Sequence, residues 1–495
     1  MRRATRTAPL SKMPAMARPS STVSISALKA LKDLLGSGGW LDEPGDRAPF
    51  ETDFRGIHHG STPLIALPDS TARVAEFVSY CARERIGIVP QGGNTSYCGG
   101  ATPRAGGGDI VLSLRRMRRI RAVDPLNDSM TAEAGCVLAE LQDAALAANR
   151  LLPMSLGSEG SCTLGGIVST NAGGTAVLRY GMMRSLVLGL EVVLPDGRVL
   201  GQLAALRKDN TGYDLKQLFI GAEGTLGVVT AASLRLFPRP AAMATAMVAL
   251  DSPAAALGLL GKLRETLGDA VTTFELIPRV AMELVCRHVA GARDPFSRAH
   301  EWYALIEVSV VQADPELSGR FESTLAAAIE RGAASDAVTA TSESQRESLW
   351  RLRESIPAAQ SREGVSLKHD ISVEPSRLPQ FIDEGRAILS ALAPDARLVA
   401  YGHLGDGNLH FNLSAASGVD GRNLEAAGEA VRRAVHDLVS RHGGSISAEH
   451  GIGQLKVNEL QRYEHPVAMA LMHSIKKAID PLGIMNPGKV LDPDL

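Results

Sequence analysis

The sequence predicts an α+β protein built from more than one domain, and three observations carry that expectation. The chain has 495 residues, too many for a single hydrophobic core. Along its first half, short strand-like runs alternate with helical periodicities. Beyond Arg239 and Pro240 the pattern changes to longer mixed strands and helices. The composition is that of an ordinary globular enzyme, 45% hydrophobic and 21% charged. A net charge of −2 gives no support to nucleic-acid binding, which calls for a strongly basic face. No apolar run approaches the ~18–20 residues that would make a transmembrane segment.

Residues 24–36, SISALKALKDLLG, place apolar residues at helical spacing and stop at Gly36, so a short helix is expected there. Residues 42–60 read as loop. PLIALPDS then predicts a strand, TARVAEFVSYCARER a helix, and IGIVPQGGN a strand running into a glycine-rich turn, a β-α-β beginning. DIVLSL and SMTAEAG read as further strands, and VLAELQDAALAAN as a helix. In VLGLEVVLPDGRVL the PDG triplet signals a hairpin. The segment RPAAMAT marks a boundary. Beyond it ALIEVSVVQ reads as strand, RFESTLAAAIERG as helix, and HPVAMALMHSIKKAID as a helix ahead of PLGIMNPGK.

Five cysteines stand at 81, 98, 136, 162 and 286. Their odd number and the lack of a CxxC pair argue against a disulfide framework or an iron–sulfur cluster and favour a reducing compartment. The first 32 residues carry seven basic side chains and no acid. No apolar h-region or amphipathic helix accompanies them. With the Arg- and Ala-rich composition, this favours a bacterial cytoplasmic protein with a basic N-terminus. A mitochondrial transit peptide and a matrix location are the alternative.

No GxGxxG occurs, so a Rossmann dinucleotide site is not indicated. Three dispersed glycine-rich loops take its place: PQGGNTSYCGG at 90–100, LGSEGSCTLGGIVSTNAGG at 156–174 and GAEGTLGVV at 221–229. Glycine lets backbone N–H groups approach a phosphate closely, and Ser and Thr add donors. Singly, each loop is an ordinary turn. In this order they resemble the FAD-binding domain of the vanillyl-alcohol oxidase type, shared by FAD-dependent D-2-hydroxyacid dehydrogenases. The resemblance implies a two-lobed FAD-binding domain over 61–240, preceded by an extension over 1–60. It implies an α+β substrate and metal-binding cap domain over 241–470, and a segment over 471–495 that returns to the flavin domain. It places Pro90, Gly92, Gly93, Asn94, Thr95 and Ser96 at the cofactor. It adds Pro153, Gly157, Ser158, Thr163, Gly165, Gly166, Asn171 and Gly174 from the second loop. Glu223, Gly224, Val228 and the distant Asn486 complete the set. Relatives with covalent flavin often carry His where Asn94 stands. Asn cannot form that bond, so FAD is expected to be held non-covalently. Cys98 and Cys162 are other conceivable attachment points, and the plainer reading makes them small packing residues.

The most chemically loaded segment is YGHLGDGNLHFN at 401–412. GDGN is a strong turn sequence, so strand, turn and strand bring His403 and His410 together, with Asn412 on the same face as His410. SISAEHGIG places Glu449 beside His450. Two imidazoles and a carboxylate suit Zn²⁺ or another divalent metal with an open position. The spacing follows no standard zinc pattern, so from the residues alone ordinary surface or core histidines are the commoner outcome. The resemblance to D-2-hydroxyglutarate and D-lactate dehydrogenases implies that His403, His410 and Glu449 are metal ligands and that His450 is the base. The segments LWRLRESIP and SLKHDISV resemble the D-2-hydroxyglutarate branch and imply that Arg353 and Lys368 bind substrate carboxylates, with Asn412 and His450 also at the substrate. The ordinary alternative for both cations is a solvated surface charge. Pro357 stands where some relatives have a hydroxyl residue, so the distal carboxylate is expected to be held differently here.

The expected activity is therefore flavin-dependent, metal-assisted oxidation of D-2-hydroxyglutarate. D-lactate or D-malate oxidation and a glycolate oxidase flavin subunit are the alternatives. A non-catalytic electron-passing subunit or a scaffold with a degenerate flavin fold fits poorly with the intact His403, His410, Glu449 and His450. The family implies an electron-transferring flavoprotein or a quinone as acceptor, and a homodimer is allowed for.

Overall fold

The computed structural model describes residue 19 and residues 22–492. Most of the basic N-terminal stretch, and with it the transit-peptide alternative, lies outside the described residues.

The first lobe is built on a four-stranded sheet in which Ile65–Ala66, Asp109–Ser113 and Gly87–Gln91 run parallel, with Trp40–Leu41 antiparallel at one edge. The helix Thr71–Glu84 starts on the Ser70 hydroxyl, which accepts from the Arg73 N–H. It buries Val74, Phe77, Val78 and Cys81, one apolar stripe at helical spacing. The helix Ile25–Leu35 ends on Gly36 at φ 71° and packs Ala27, Leu31 and Leu35 into the same core. Residues 42–60 are not all loop, as the sequence reading had them: Pro44–Glu51 is helical. Pro44 sits in the first turn, where its fixed φ and missing N–H cost nothing. Pro49 in the same segment made it read as irregular.

The second lobe is an antiparallel five-stranded sheet. Val228–Arg235 lies at its centre between Ser129–Glu133 and Val187–Val193, with Ile120–Asp124 and Val199–Gln202 at the edges. The expected PDG hairpin joins Val187–Val193 to Val199–Gln202, with Gly197 at φ 88°. The short helix Leu164–Ser169 packs Leu164, Ile167 and Val168 against this sheet and so fixes the 156–174 loop on it.

The C-terminal part is an eight-stranded sheet with helices packed on it. It begins at Ala242–Leu250, inside the RPAAMAT segment. Trp302–Val310 lies between Ala242–Leu250 and Val271–Pro278, and Val271–Pro278 in turn pairs with Ala396–His403. Ala396–His403 and Asn408–Ala415 form the expected hairpin, with Tyr401 opposite His410. Its turn needs glycine: Gly407 has φ 89°, and a Cβ there would lie 2.0 Å from the Val373 carbonyl oxygen. After the helix Pro466–Ile479 the chain returns to the first lobe. Ile484 and Met485 are buried in that lobe's core, and the Asn486 N–H donates to the Ile88 carbonyl. No helix among the described residues is long and apolar enough to cross a membrane.

Candidate active site

A cavity of about 1050 Å³ runs between the glycine-rich loops and the hairpin that carries His403 and His410. Residues 90–97, 155–159, 162–163, 165–167, 172–175, 223–224 and 227–229 form one wall; Arg353, Lys368, His403, His410, Asn412, Glu449 and His450 stand on the other. A side chain on Gly157 would meet nothing within 4 Å, and one on Gly166 would meet only the Thr163 hydroxyl at 3.6 Å, so both leave cavity open. The Thr163 hydroxyl is buried with no hydrogen-bond partner among the described residues. An orphaned buried hydroxyl beside bare backbone fits a ligand rich in acceptors, such as a pyrophosphate.

Several residues expected at the cofactor also hold the loops in place. Asn94, at φ 54°, donates its amide to the carbonyls of Thr52 and Pro49. Glu223, at φ 51°, accepts from the N–H groups of Ile452 (2.7 Å) and Gly453 (2.8 Å) and so ties the turn after His450 to the flavin wall. Pro153, Asn171 and Asn486 do not line the cavity. Asn171 accepts from the Arg184 N–H, and Asn486 donates to the carbonyls of Gly100 and Glu223. All four polar residues sit at positive φ, and their side chains bond to backbone distant in sequence.

On the opposite wall, ligand atoms of His403, His410 and Glu449 lie within 4.8 Å of one another. Glu275, on Val271–Pro278 directly across from His403, organises this group. One carboxylate oxygen is bonded to His403 Nδ1; the other accepts from Arg353 Nε at 2.5 Å. His403 Nε2 is thereby aimed at Glu449, 3.7 Å away. A carboxylate that fixes the ring through one nitrogen and frees the other is the usual support of a metal-ligating histidine. Burial disfavours charge on His403, yet Glu275 and Glu449 hold its pKa up at about 9. A positive charge is thus already favoured between these carboxylates. Burial pushes Glu449 up to about 7 and His410 down to about 3, so His410 keeps a free lone pair. The donor set fits a divalent cation. A second group, Asp370, His410 and His450, is equally compact. The Asp370 carboxylate is already committed, though, since one oxygen accepts the N–H groups of Glu449 (2.8 Å) and His450 (2.9 Å) and the other the Asn408 amide.

Asp370 sets the position of His450. It pins that residue's backbone, and its Oδ2 lies 3.7 Å from His450 Nδ1. Tyr97 stacks on the other side of the imidazole, with centroids 4.6 Å apart. Burial outweighs the Asp370 charge and holds His450 below its ordinary pKa, so the ring is neutral and able to accept a proton. Arg353 is buried over the Tyr401 ring, its Nε spent on Glu275 and its terminal nitrogens unbonded among the described residues. Lys368 is half-buried, in no ion pair among the described residues, and 3.5 Å from the Ser361 hydroxyl. Asn412 lines the cavity, but its amide is engaged at both ends, accepting from the His369 N–H and donating to Gln360. The sequence reading missed Glu275, Asp370, Tyr97, Gln360 and Arg55; nothing beside Glu275 or Arg55 in sequence marks a site, whereas Tyr97 follows Ser96 and Asp370 lies two residues after Lys368, in segments that had been singled out.

Comparison with known proteins matches residues 239–490 to the family described as FAD linked oxidases, C-terminal domain, and residues 62–201 to the FAD binding domain. A D-2-hydroxyglutarate dehydrogenase of Arabidopsis thaliana is 38% identical over 95% of this chain and 82% of its own length. The chain belongs to the FAD-dependent D-2-hydroxyacid dehydrogenases. The Bos taurus D-2-hydroxyglutarate dehydrogenase is 38% identical over 97% of this chain and 86% of its own. A D-2-hydroxyglutarate–pyruvate transhydrogenase of Saccharomyces cerevisiae is 34% identical over 90% of each. The solved structure of p-cresol methylhydroxylase superposes with a TM-score of 0.75 at 16% identity, covering 96% of this chain and 99% of that one. It shows the vanillyl-alcohol oxidase type fold. The dehydrogenase therefore binds FAD and acts on a small D-2-hydroxy acid. The expected bacterial cytoplasmic location is overturned: the Arabidopsis and Bos taurus relatives are named as mitochondrial, and the comparison favours the mitochondrial alternative.

Proposed function

We propose that the dehydrogenase oxidises D-2-hydroxyglutarate to 2-oxoglutarate. The observation that carries this reading is the pair of carboxylate-binding cations, Arg353 and Lys368, standing in one cavity with the His403, His410 and Glu449 group. The terminal nitrogens of Arg353 suit the carboxylate beside the reacting carbon. Lys368, without an anion of its own, suits the distal one. His450, neutral and held by Asp370 and Tyr97, accepts the substrate hydroxyl proton. A divalent metal (zinc by ligand type) held by His403, His410 and Glu449 would lower the pKa of that hydroxyl, and FAD held by the glycine-rich loops would supply the acceptor for the α-hydrogen as hydride. The protein's part is to hold both reactants in line and keep water from the reacting carbon. The electrons released from the substrate would pass on to an electron-transferring flavoprotein or a quinone.

Lys368→Met keeps the length and apolar stem of the side chain and removes its charge. Losing a charge-assisted hydrogen bond costs about 1.5–3 kcal/mol, which lowers kcat/KM for D-2-hydroxyglutarate roughly ten- to a hundredfold. D-lactate has no distal carboxylate, and its turnover falls far less. A dye-coupled assay on the two substrates decides the matter; equal losses make Lys368 structural, and unchanged rates place it outside the substrate site.

The flavin is held without a covalent bond. Asn94 offers no nucleophile and is bonded to backbone. Burial keeps the Cys98 thiol protonated, with a pKa of about 11. Acid precipitation is expected to release all the FAD into the supernatant, and yellow colour left in the pellet would refute this.

A further inference from the structure

We propose that Arg55, carried on the turn Asp53–His58, is the second cation of the distal-carboxylate site and binds that carboxylate together with Lys368. The inference rests on the diacid reading above and names a residue that reading does not contain.

Arg55 is half-buried, lines the same cavity as Lys368, and lies with its guanidinium 5.9 Å from the centroid of the Tyr97 ring. Its side chain has no ion pair or hydrogen bond among the described residues. Two cations therefore line one cavity, and neither is in an ion pair with a carboxylate among the described residues. Each is felt at the other's neighbours: after burial, the Arg55 charge is what lowers Lys368, and both charges act on His450. Such an arrangement is unfavourable until an anion enters, and a carboxylate shared by two cations relieves both. The opposite residue of the wall, Pro357, offers no donor, so the second contact must come from elsewhere.

The turn that delivers Arg55 is built to hold still. Asp53 is buried, and its carboxylate accepts the N–H groups of Arg55 (3.2 Å), Ile57 (2.7 Å) and His58 (2.6 Å). Gly56, at φ 65°, completes the bend. The Thr52 carbonyl is bonded to Asn94, which fastens the turn to the loop that carries Tyr97. Phe54 packs edge-on against Tyr97 at 5.9 Å, and Tyr97 stacks on His450. Arg55 thus projects from a preorganised support one ring away from the base, into the cavity that Lys368 and Arg353 also line.

The test uses the FAD-loaded enzyme with Arg55→Met, Arg55→Lys, Lys368→Met and the Arg55→Met/Lys368→Met pair. D-2-hydroxyglutarate and D-lactate are the substrates, and titration of the flavin absorbance with 2-oxoglutarate or pyruvate reads binding apart from turnover. Arg55→Met is expected to lower kcat/KM for D-2-hydroxyglutarate about ten- to a hundredfold, chiefly through KM, and to weaken 2-oxoglutarate binding in step. D-lactate and pyruvate change far less, and Arg55→Lys recovers part of the loss. In the double variant the loss is smaller than the product of the single losses, because both residues serve one carboxylate. Equal losses on both substrates, no loss on either, or loss of FAD from Arg55→Met overturns the proposal; FAD loss would assign Arg55 to the cofactor. If the unaltered enzyme shows no preference for D-2-hydroxyglutarate over D-lactate, the diacid reading itself fails and this proposal with it.

Discussion

Enzyme stripped of divalent metal is expected to lose turnover by three orders of magnitude or more while retaining its FAD. The two functions are held by different parts of the chain. The flavin wall comes from the loops at 90–97, 155–175 and 223–229, whose bonds run to backbone; the metal group comes from the 396–415 hairpin and Glu449. The size of the effect follows from the chemistry of the base. His450 is neutral, with a pKa below the ordinary imidazole value. An unassisted alcohol is about as weak an acid as water, near pKa ~16, whereas coordination to zinc brings a bound oxygen acid to about 7. Without that assistance the proton transfer from the substrate faces a barrier higher by several kcal/mol, on the order of 10³-fold or more in rate. Metal analysis before and after chelation, with flavin absorbance and dye-coupled turnover on the same sample, checks each part. Full activity in protein verified as metal-free would remove the metal from the mechanism. Recovery on adding back zinc, manganese or cobalt one at a time identifies the ion.

How much of this could be read from sequence depended on whether the residues of a site are neighbours in the chain. The hairpin was legible because GDGN lies between two apolar runs, and a period of two then puts His410 and Asn412 on one face. The same period could not say that the Asn412 amide is consumed by His369 and Gln360, because those partners lie 43 and 52 residues earlier. Glu275 sits 128 residues before His403, in the run VTTFELIP. Its one signal is a carboxylate within an otherwise apolar strand, where an ionised group must have a buried partner. In SLKHDISV the reading stopped at Lys368, although Asp370, two residues on, fixes Glu449 and His450. Arg55 lay in a stretch read as loop. The glycine-rich loops pointed to the cofactor but not to the second role of their positive-φ residues, whose side chains brace the loops on distant backbone.

Glu275→Gln is expected to lower both stability and metal affinity, the second by about 10- to 100-fold. Glu275 is fully buried, and burial alone would raise its pKa; Arg353 and His403 instead hold it down at about 2. Gln is nearly isosteric, so packing is kept and the charge is lost. Arg353 is then a buried guanidinium without its anion, and breaking a buried pair by removing one partner costs about 3–5 kcal/mol. For a domain of this size that lowers the melting temperature by roughly 6–20 °C. The metal effect has a separate cause. The Gln amide has one oxygen to share between Arg353 and His403, and its NH₂ is a donor, so it cannot serve His403 Nδ1–H as the carboxylate does. The ring then loses the contact that aims Nε2 at Glu449. Arg353→Met separates the two consequences. It leaves Glu275 bonded to His403 and removes the carboxylate-binding nitrogens, so metal affinity should change less than in Glu275→Gln while turnover falls on mono- and diacid substrates alike. Calorimetric melting of each variant and competition with a chelator of known affinity measure the two effects. If Glu275→Gln binds metal as tightly as the unaltered enzyme, Glu275 serves Arg353 alone, and the orientation of His403 is set by its strand.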